Sequence, residues 1–201
     1  MALNGIEIEK ELEHLEREIS NLRSKRKELL KDKFRLESVQ DYTFAGRDGA
    51  VKLSELFGDS NDLMVIHNMG KRCTYCTLWA DGFNGVYEHL HDRAPFYVIS
   101  PDPVATQIEF AESRDWRFPM VSAADNSFTA DMGFHPEMDG KRYYWPGMST
   151  FRKHEDGRIE RLTADFFGPG DTYSGIWHMI EQLADGVNNW QPRYSYAESA
   201  V

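Results

Sequence analysis

Cysteine is nearly missing from this chain: of 201 residues only Cys73 and Cys76 are cysteines. That excludes a disulfide framework, and in a reducing compartment a pair three apart reads as catalytic or metal-binding. Long apolar runs are lacking too. No stretch approaches the roughly 20 residues a membrane helix needs. The opening is densely charged with no secretory apolar region, so a soluble, cytoplasmic protein with no membrane partner is expected. Positive charge is scarce: 23 Lys and Arg stand against 33 Asp and Glu, a formal net charge of -10. Nucleic acid and anionic lipid are therefore disfavoured as partners.

What is present suits one packed core with an appendage: 41% hydrophobic and 13% aromatic residues, among them 12 Phe, 9 Tyr and 5 Trp. Ile8, Leu12, Leu15, Ile19, Leu22 and Leu29 recur at steps of four and three among Glu, Arg and Lys. That spacing predicts one amphipathic helix over about residues 6 to 36. Arg26 and Lys33 interrupt its apolar seam. A short homodimer zipper and docking on the chain's own domain are equally compatible with it.

The texture changes at Tyr42. Residues 42 to 53, turning at Gly46-Arg47-Asp48-Gly49, read as a β-hairpin, and Leu63 to His67 as a buried strand. The cysteines follow, and then Leu78, Trp79, Phe83, Val86, Tyr87 and Leu90 at helical spacing, so the pair sits where a strand turns into a helix. Phe96 to Ser100 is the next strand, and Pro103 opens a helix to about Asp115. Phe118 to Ser122 is extended, and residues 124 to 145 form a loop-rich insertion. Met148 to Arg152 and Arg158 to Leu162 flank a Glu155-Asp156-Gly157 turn, and a last helix spans about 172 to 185. Three parts are expected: a helical arm over 1–38, an α/β domain over 39–190 and a loose tail over 191–201.

Strand, cysteine pair, helix, strand, helix, hairpin, helix is the order of an α/β thioredoxin-like fold, and the early hairpin marks its peroxiredoxin-type variant. The sequence resembles domain-of-unknown-function family 899, a bacterial thioredoxin-like family. The resemblance is carried by 48–57 (DGAVKLSELF), 63–67 (LMVIH), 73–76 (CTYC), 79–83 (WADGF), 116–122 (WRFPMVS) and 146–151 (PGMSTF). It implies dithiol-disulfide oxidoreductase activity and leaves the substrate open.

The chemistry expected of Cys73 and Cys76 follows from position. A thiol at a helix N-terminus meets unpaired amides and the positive end of the dipole, which favour the thiolate, so Cys73 is the nucleophile. The adjacent Lys71 and Arg72 would act in the same sense. Cys76, one turn on, would resolve a mixed disulfide. The expected partners are a protein or small-thiol disulfide substrate and a cellular thiol reductant, with no cofactor and no metal. Inert buried cysteines and a zinc site are the blander alternatives, and zinc would need two further ligands.

A thiol peroxidase is the main rival, although Pro-x-x-x-Thr-x-x-Cys is absent: the corresponding positions are Ile66 and Gly70 before Cys73, and Met69 and Cys73 before Cys76. A binding module with redox-sensing cysteines is the non-enzymatic alternative. Compared with thioredoxins, Arg72 replaces Trp and Thr74-Tyr75 replaces Gly-Pro. His67 stands where thioredoxins hold a buried acid, as a proton shuttle or a satisfied core residue. Pro146 is the candidate for the cis-proline of such folds, with Met148 closer to its usual place. Trp79, Tyr143, Tyr144 and Trp145 are candidates for an apolar collar round the site or for core.

Overall fold

The computed structural model describes residues 5–196. Charged residues at supporting spacings carry helix α1 (Gly5–Phe34), none of whose residues is buried. The chain then enters strand β1 (Leu36–Val39), so α1 ends slightly before the periodicity suggested. The predicted hairpin is β2 (Thr43–Gly46) and β3 (Gly49–Lys52); at its turn Gly49 has φ +125°, a conformation that favours glycine. The apolar run is β4 (Asp62–His67).

The helix expected after the cysteines is two helices, α2 (Thr74–Gly85) and α3 (Tyr87–Arg93). The break falls at Gly85-Val86, where Val86 caps both at φ -118°. β5 (Phe96–Ser100), α4 (Val104–Ser113) and β6 (Met120–Ser122) follow. The insertion orders into α5 (Phe128–Asp131) and a small hairpin of β7 (Glu137–Met138) and β8 (Lys141–Arg142). β9 (Gly147–Lys153) and β10 (Ile159–Phe166) form the second large hairpin. α6 (Gly175–Ile180) is shorter than its sequence pattern, because Ile176, Met179 and Leu183 are exposed and give the helix little to bury.

The eight-stranded sheet runs β1-β10-β9-β4-β5-β6-β2-β3, with β4, β5 and β6 parallel and β9 antiparallel to β4. This is the expected thioredoxin-like order, extended at one edge by the β2–β3 hairpin pairing on β6. Side-chain alternation divides the core between the two faces. Leu63 and Val65 point to a cluster with Phe44, Phe57, Phe128, Phe134 and Phe151. Ile66 points the other way, to Trp79, Ala80, Phe83, Phe96 and Phe118, so α2 lies on that second face.

The C-terminal part of α1 and the residue after it meet the body through ion pairs and through Phe34, whose ring packs edge-on against Phe166. Arg26 grips buried Asp165 of β10 with both terminal nitrogens at 2.6 Å, and Arg35 holds Glu160 at 2.6 Å. Arg161 donates to the Phe34 carbonyl at 2.7 Å, satisfying one of the orphan acceptors at the helix end. Arg26, which interrupts the apolar seam in the sequence, is thus the docking residue.

One position has no room at all for a side chain. A Cβ on Gly147 would stand 2.3 Å from both the Asp165 carbonyl and the Phe134 ring, between β4 and β10. Gly147→Ala must push a central strand aside, and a loss of about 1–3 kcal/mol is expected. Urea denaturation will read it as a lowered midpoint with an unchanged slope. A midpoint equal to that of the native chain would contradict the close approach.

Candidate functional site

β4 delivers the chain to a six-residue turn that ends in Cys73. Asn68 fixes that turn by accepting the Gly70 amide at 2.8 Å, and Asp102 accepts the Lys71 amide at 2.6 Å. Gly70 itself sits at φ +97°, and a Cβ there would lie 2.8 Å from the Asp102 carboxylate. The approach needs glycine twice over, for its backbone angle and for space.

Cys73 is the N-cap of α2. Its sulfur accepts the Cys76 amide at 3.0 Å, the bond a serine or aspartate makes at such a position, and Thr77 Oγ1 donates to its carbonyl at 3.0 Å. Cys73 is half-buried and Cys76 buried, and both are free thiols. The Cys76 thiol donates to the Cys73 sulfur, the main cause that lowers the Cys73 pKa; the amides of Cys76 and Tyr75 act in the same direction, against desolvation. The same bond, together with burial and the neighbouring sulfur, pushes Cys76 far up. The two thiols are driven apart, Cys73 toward the thiolate and Cys76 away from it. Lys71 and Arg72, expected to lower the Cys73 pKa, have exposed side chains and are not among its causes.

The surroundings differ from the expected collar. Trp79 is buried between Tyr75 and Phe167, as core. Tyr144 stacks on His135, and Trp145 packs edge-on against Phe166. Beside the cysteines, Tyr75 contacts Trp177, which contacts Trp190. The segment from 191 to 196 is not a loose extension: Pro192 is buried, the Tyr194 carbonyl accepts from Arg114 at 2.9 Å, and the Tyr194 ring meets Phe110. Burial first, and then the charges of Cys73 and Cys76, push the Tyr194 phenol up. No sequence pattern links Tyr194 or Trp177 to the pair, since both approach from the far end of the chain. The remainder of the predicted tail, 197 to 201, lies outside the described residues.

His67 takes the core alternative. It shares its sheet face with Val65, opposite α2, stacks on Phe134 at 3.7 Å between centroids, and bonds Ser149 through Nε2 at 2.9 Å. Burial, and secondarily the Arg161 charge, hold its pKa well below the histidine norm. Pro146 is not a cis-proline: among the described residues no peptide bond is cis. Met148 pairs with Ile66 on one side and Asp165 on the other, so its backbone is closed to an extended substrate chain. Its side chain packs under α2 with the cluster of Trp79 and Ile66. Among the described residues no group of three or more His, Cys, Asp or Glu is placed to hold a metal ion. No described helix is long and apolar enough to cross a membrane.

Comparison with known proteins places this geometry. The model of the family described as "Bacterial protein of unknown function (DUF899)" matches residues 6–199. No curated protein matches. Among solved structures, Peroxidoxin BcpB from Mycobacterium tuberculosis is 26% identical with a TM-score of 0.52, covering 64% of this chain and 82% of its own. Peroxiredoxin Q from Xanthomonas campestris is 20% identical at TM-score 0.51, covering 65% and 87%. Reduced Prx3 from Vibrio vulnificus is 15% identical at 0.52, covering 67% and 84%. The two lower identities speak for the fold alone.

Two measurements test the site. Iodoacetamide labelling of the reduced protein, followed across pH by mass spectrometry, will place the Cys73 midpoint below the usual thiol range. Cys76→Ala, which keeps the amide and removes the thiol donor, will move that midpoint up; an unmoved midpoint would remove the thiol–thiol bond from the account. For His67, the unfolded chain takes up a proton below about pH 6.5 that the folded ring refuses, so stability falls as pH drops through that value, by at most about 1.4 kcal/mol per unit. In His67→Gln the urea midpoint will fall less steeply between about pH 6.5 and 5. Parallel slopes would mean that His67 is protonated when folded.

Proposed function

The chain belongs to the bacterial DUF899 family, and from that premise we propose that it is a thiol-disulfide oxidoreductase working through Cys73 and Cys76 on a protein or small-thiol disulfide. The observation that carries this reading is the Cys76 amide donated to the Cys73 sulfur at the start of α2, with the Cys76 thiol beside it lowering the Cys73 pKa further. They favour the thiolate on one sulfur and hold a proton on its partner one helical turn away.

The Cys73 thiolate attacks a substrate disulfide; its S–S bond breaks, one substrate sulfur leaves and takes up a proton, and a mixed disulfide remains on Cys73. Cys76 then loses its proton and attacks the Cys73 sulfur, expelling the second substrate thiol. Two electrons have passed to the substrate, and the pair is left as a disulfide. A cellular dithiol, or two monothiols such as glutathione, reverses the oxidation by the same exchange. The closed backbone at Met148 means that the substrate meets Cys73 from the solvent side without adding a strand to β9.

A thiol peroxidase is the second reading, favoured by the 26% identity to a mycobacterial peroxidoxin. There the thiolate would take one peroxide oxygen as sulfenic acid, releasing water or an alcohol, and Cys76 would condense with it, releasing a second water.

Trapping distinguishes them. In Cys76→Ser the mixed disulfide cannot be resolved, so disulfide substrates will accumulate on Cys73, and dithiol-dependent peroxide consumption will stay at background in the native protein. Rapid consumption that is lost in Cys73→Ser would establish the peroxidase instead. Adducts captured on Cys76 in Cys73→Ser would reverse the two roles.

A further inference from the structure

Among the described residues, α1 from Ile8 to Leu22 makes no hydrogen bond, ion pair or ring contact to the body that closes over its C-terminal part. The face turned to the body carries Arg26, Lys27 and Leu30, with Arg23 at its edge, and these line a cleft of about 670 Å³ with Met148 and Asp165. The seam of Ile8, Leu12, Leu15, Ile19 and Leu22 remains exposed, Leu12 by 58% and Leu22 by 65%. Five large apolar side chains in a heptad row ask for a cover.

Charge identifies that cover. Up to Glu18 the helix is acidic, with Glu9, Glu11, Glu13, Glu16 and Glu18; from Arg23 onward it is basic, with Arg23, Lys25, Arg26, Lys27 and Lys31. Such a helix complements a reversed copy of itself, and reversed copies also oppose their dipoles. We propose that the seam binds the α1 of a second copy of this chain, antiparallel, with Leu15 of each helix packing on Ile19 of the other and Leu12 on Leu22.

In that register the positions flanking the seam pair Glu9 with Arg23 and Glu11 with Lys25, twice each by symmetry. Only Glu16 and Glu18 meet their own copies. None of Glu9, Glu11, Arg23 and Lys25 takes an ion-pair partner within the chain among the described residues, so all four are available. A parallel pair would set Glu11 against Glu16 and Arg26 against Arg26, cancelling its one attraction, Glu18 with Arg23. The antiparallel register also keeps each docked body at an end of the pair, because its Arg26 layer meets only Ile8.

Light scattering on the full chain at micromolar to submillimolar concentration will give twice 23.3 kDa. Leu15→Glu with Ile19→Glu will give the monomer mass, with the thermal melt of the body unchanged because the seam does not touch it. Orientation is read by charge exchange. Arg23→Glu will weaken the dimer on the order of tenfold, roughly 1.4 kcal/mol. Adding Glu9→Arg will restore it, since the pair reforms with its signs exchanged. Restoration by Glu18→Arg would mean parallel helices, and by Glu16→Arg a shifted register; either overturns this arrangement. A native chain that stays monomeric throughout, or a dimer indifferent to the seam substitutions, overturns the interface.

Discussion

The amide of Cys76 pointing at the Cys73 sulfur does two jobs with one bond. It satisfies a donor that the first turn of α2 would otherwise leave open, and it stabilises negative charge on the sulfur that receives it. Helix initiation and thiol activation are therefore the same physical event. The rest of the architecture holds that bond in place: β4 is clamped between β5 and β9, α2 is seated on Ile66 through Trp79 and Ala80, and the Asp102 carboxylate pins the approach at Lys71. Gly70 lets the loop pass close enough to Asp102 for that contact to exist.

A second set of constraints acts on the opposite face of the sheet. His67 ends β4 as a neutral ring stacked on Phe134, and Gly147 lets that phenylalanine and the β10 backbone close over the strand end. The insertion between β6 and β9 supplies Phe128 and Phe134 to this core, so the segment with the least regular pattern furnishes much of its packing. The cysteine pair sits above one face of the sheet while the other face is sealed beneath it.

How much was legible in the sequence depended on the range of the physics. Local patterns gave the β2–β3 hairpin, the buried β4 and the placement of Cys73 at a helix start, because turn chemistry and periodicity act over a few residues. The break at Gly85-Val86 hid inside a continuous apolar periodicity that served α2 and α3 equally. Arg26 read as a flaw in a zipper because its partner, Asp165, lies 139 positions away. Tyr194, Trp177 and Asp102 were invisible for the same reason: nothing near them in the chain marks them as neighbours of the cysteines. Lys71 and Arg72 were misjudged in the opposite direction, since adjacency in sequence did not bring their charges to the sulfur.

The asymmetry between the two sulfurs has an energetic corollary. Bonds that favour the Cys73 anion stabilise the open dithiol, whereas the closed disulfide can accept neither the charge nor the Cys76 S–H. For a pair that cycles between the two forms, this tilts the equilibrium toward electron uptake, as it does wherever a reduced form is selectively stabilised. The N-terminal cap of α2 thus bears on both halves of the proposed exchange: the bonds that ready the Cys73 sulfur to attack a disulfide also favour the return of the oxidised pair to the dithiol.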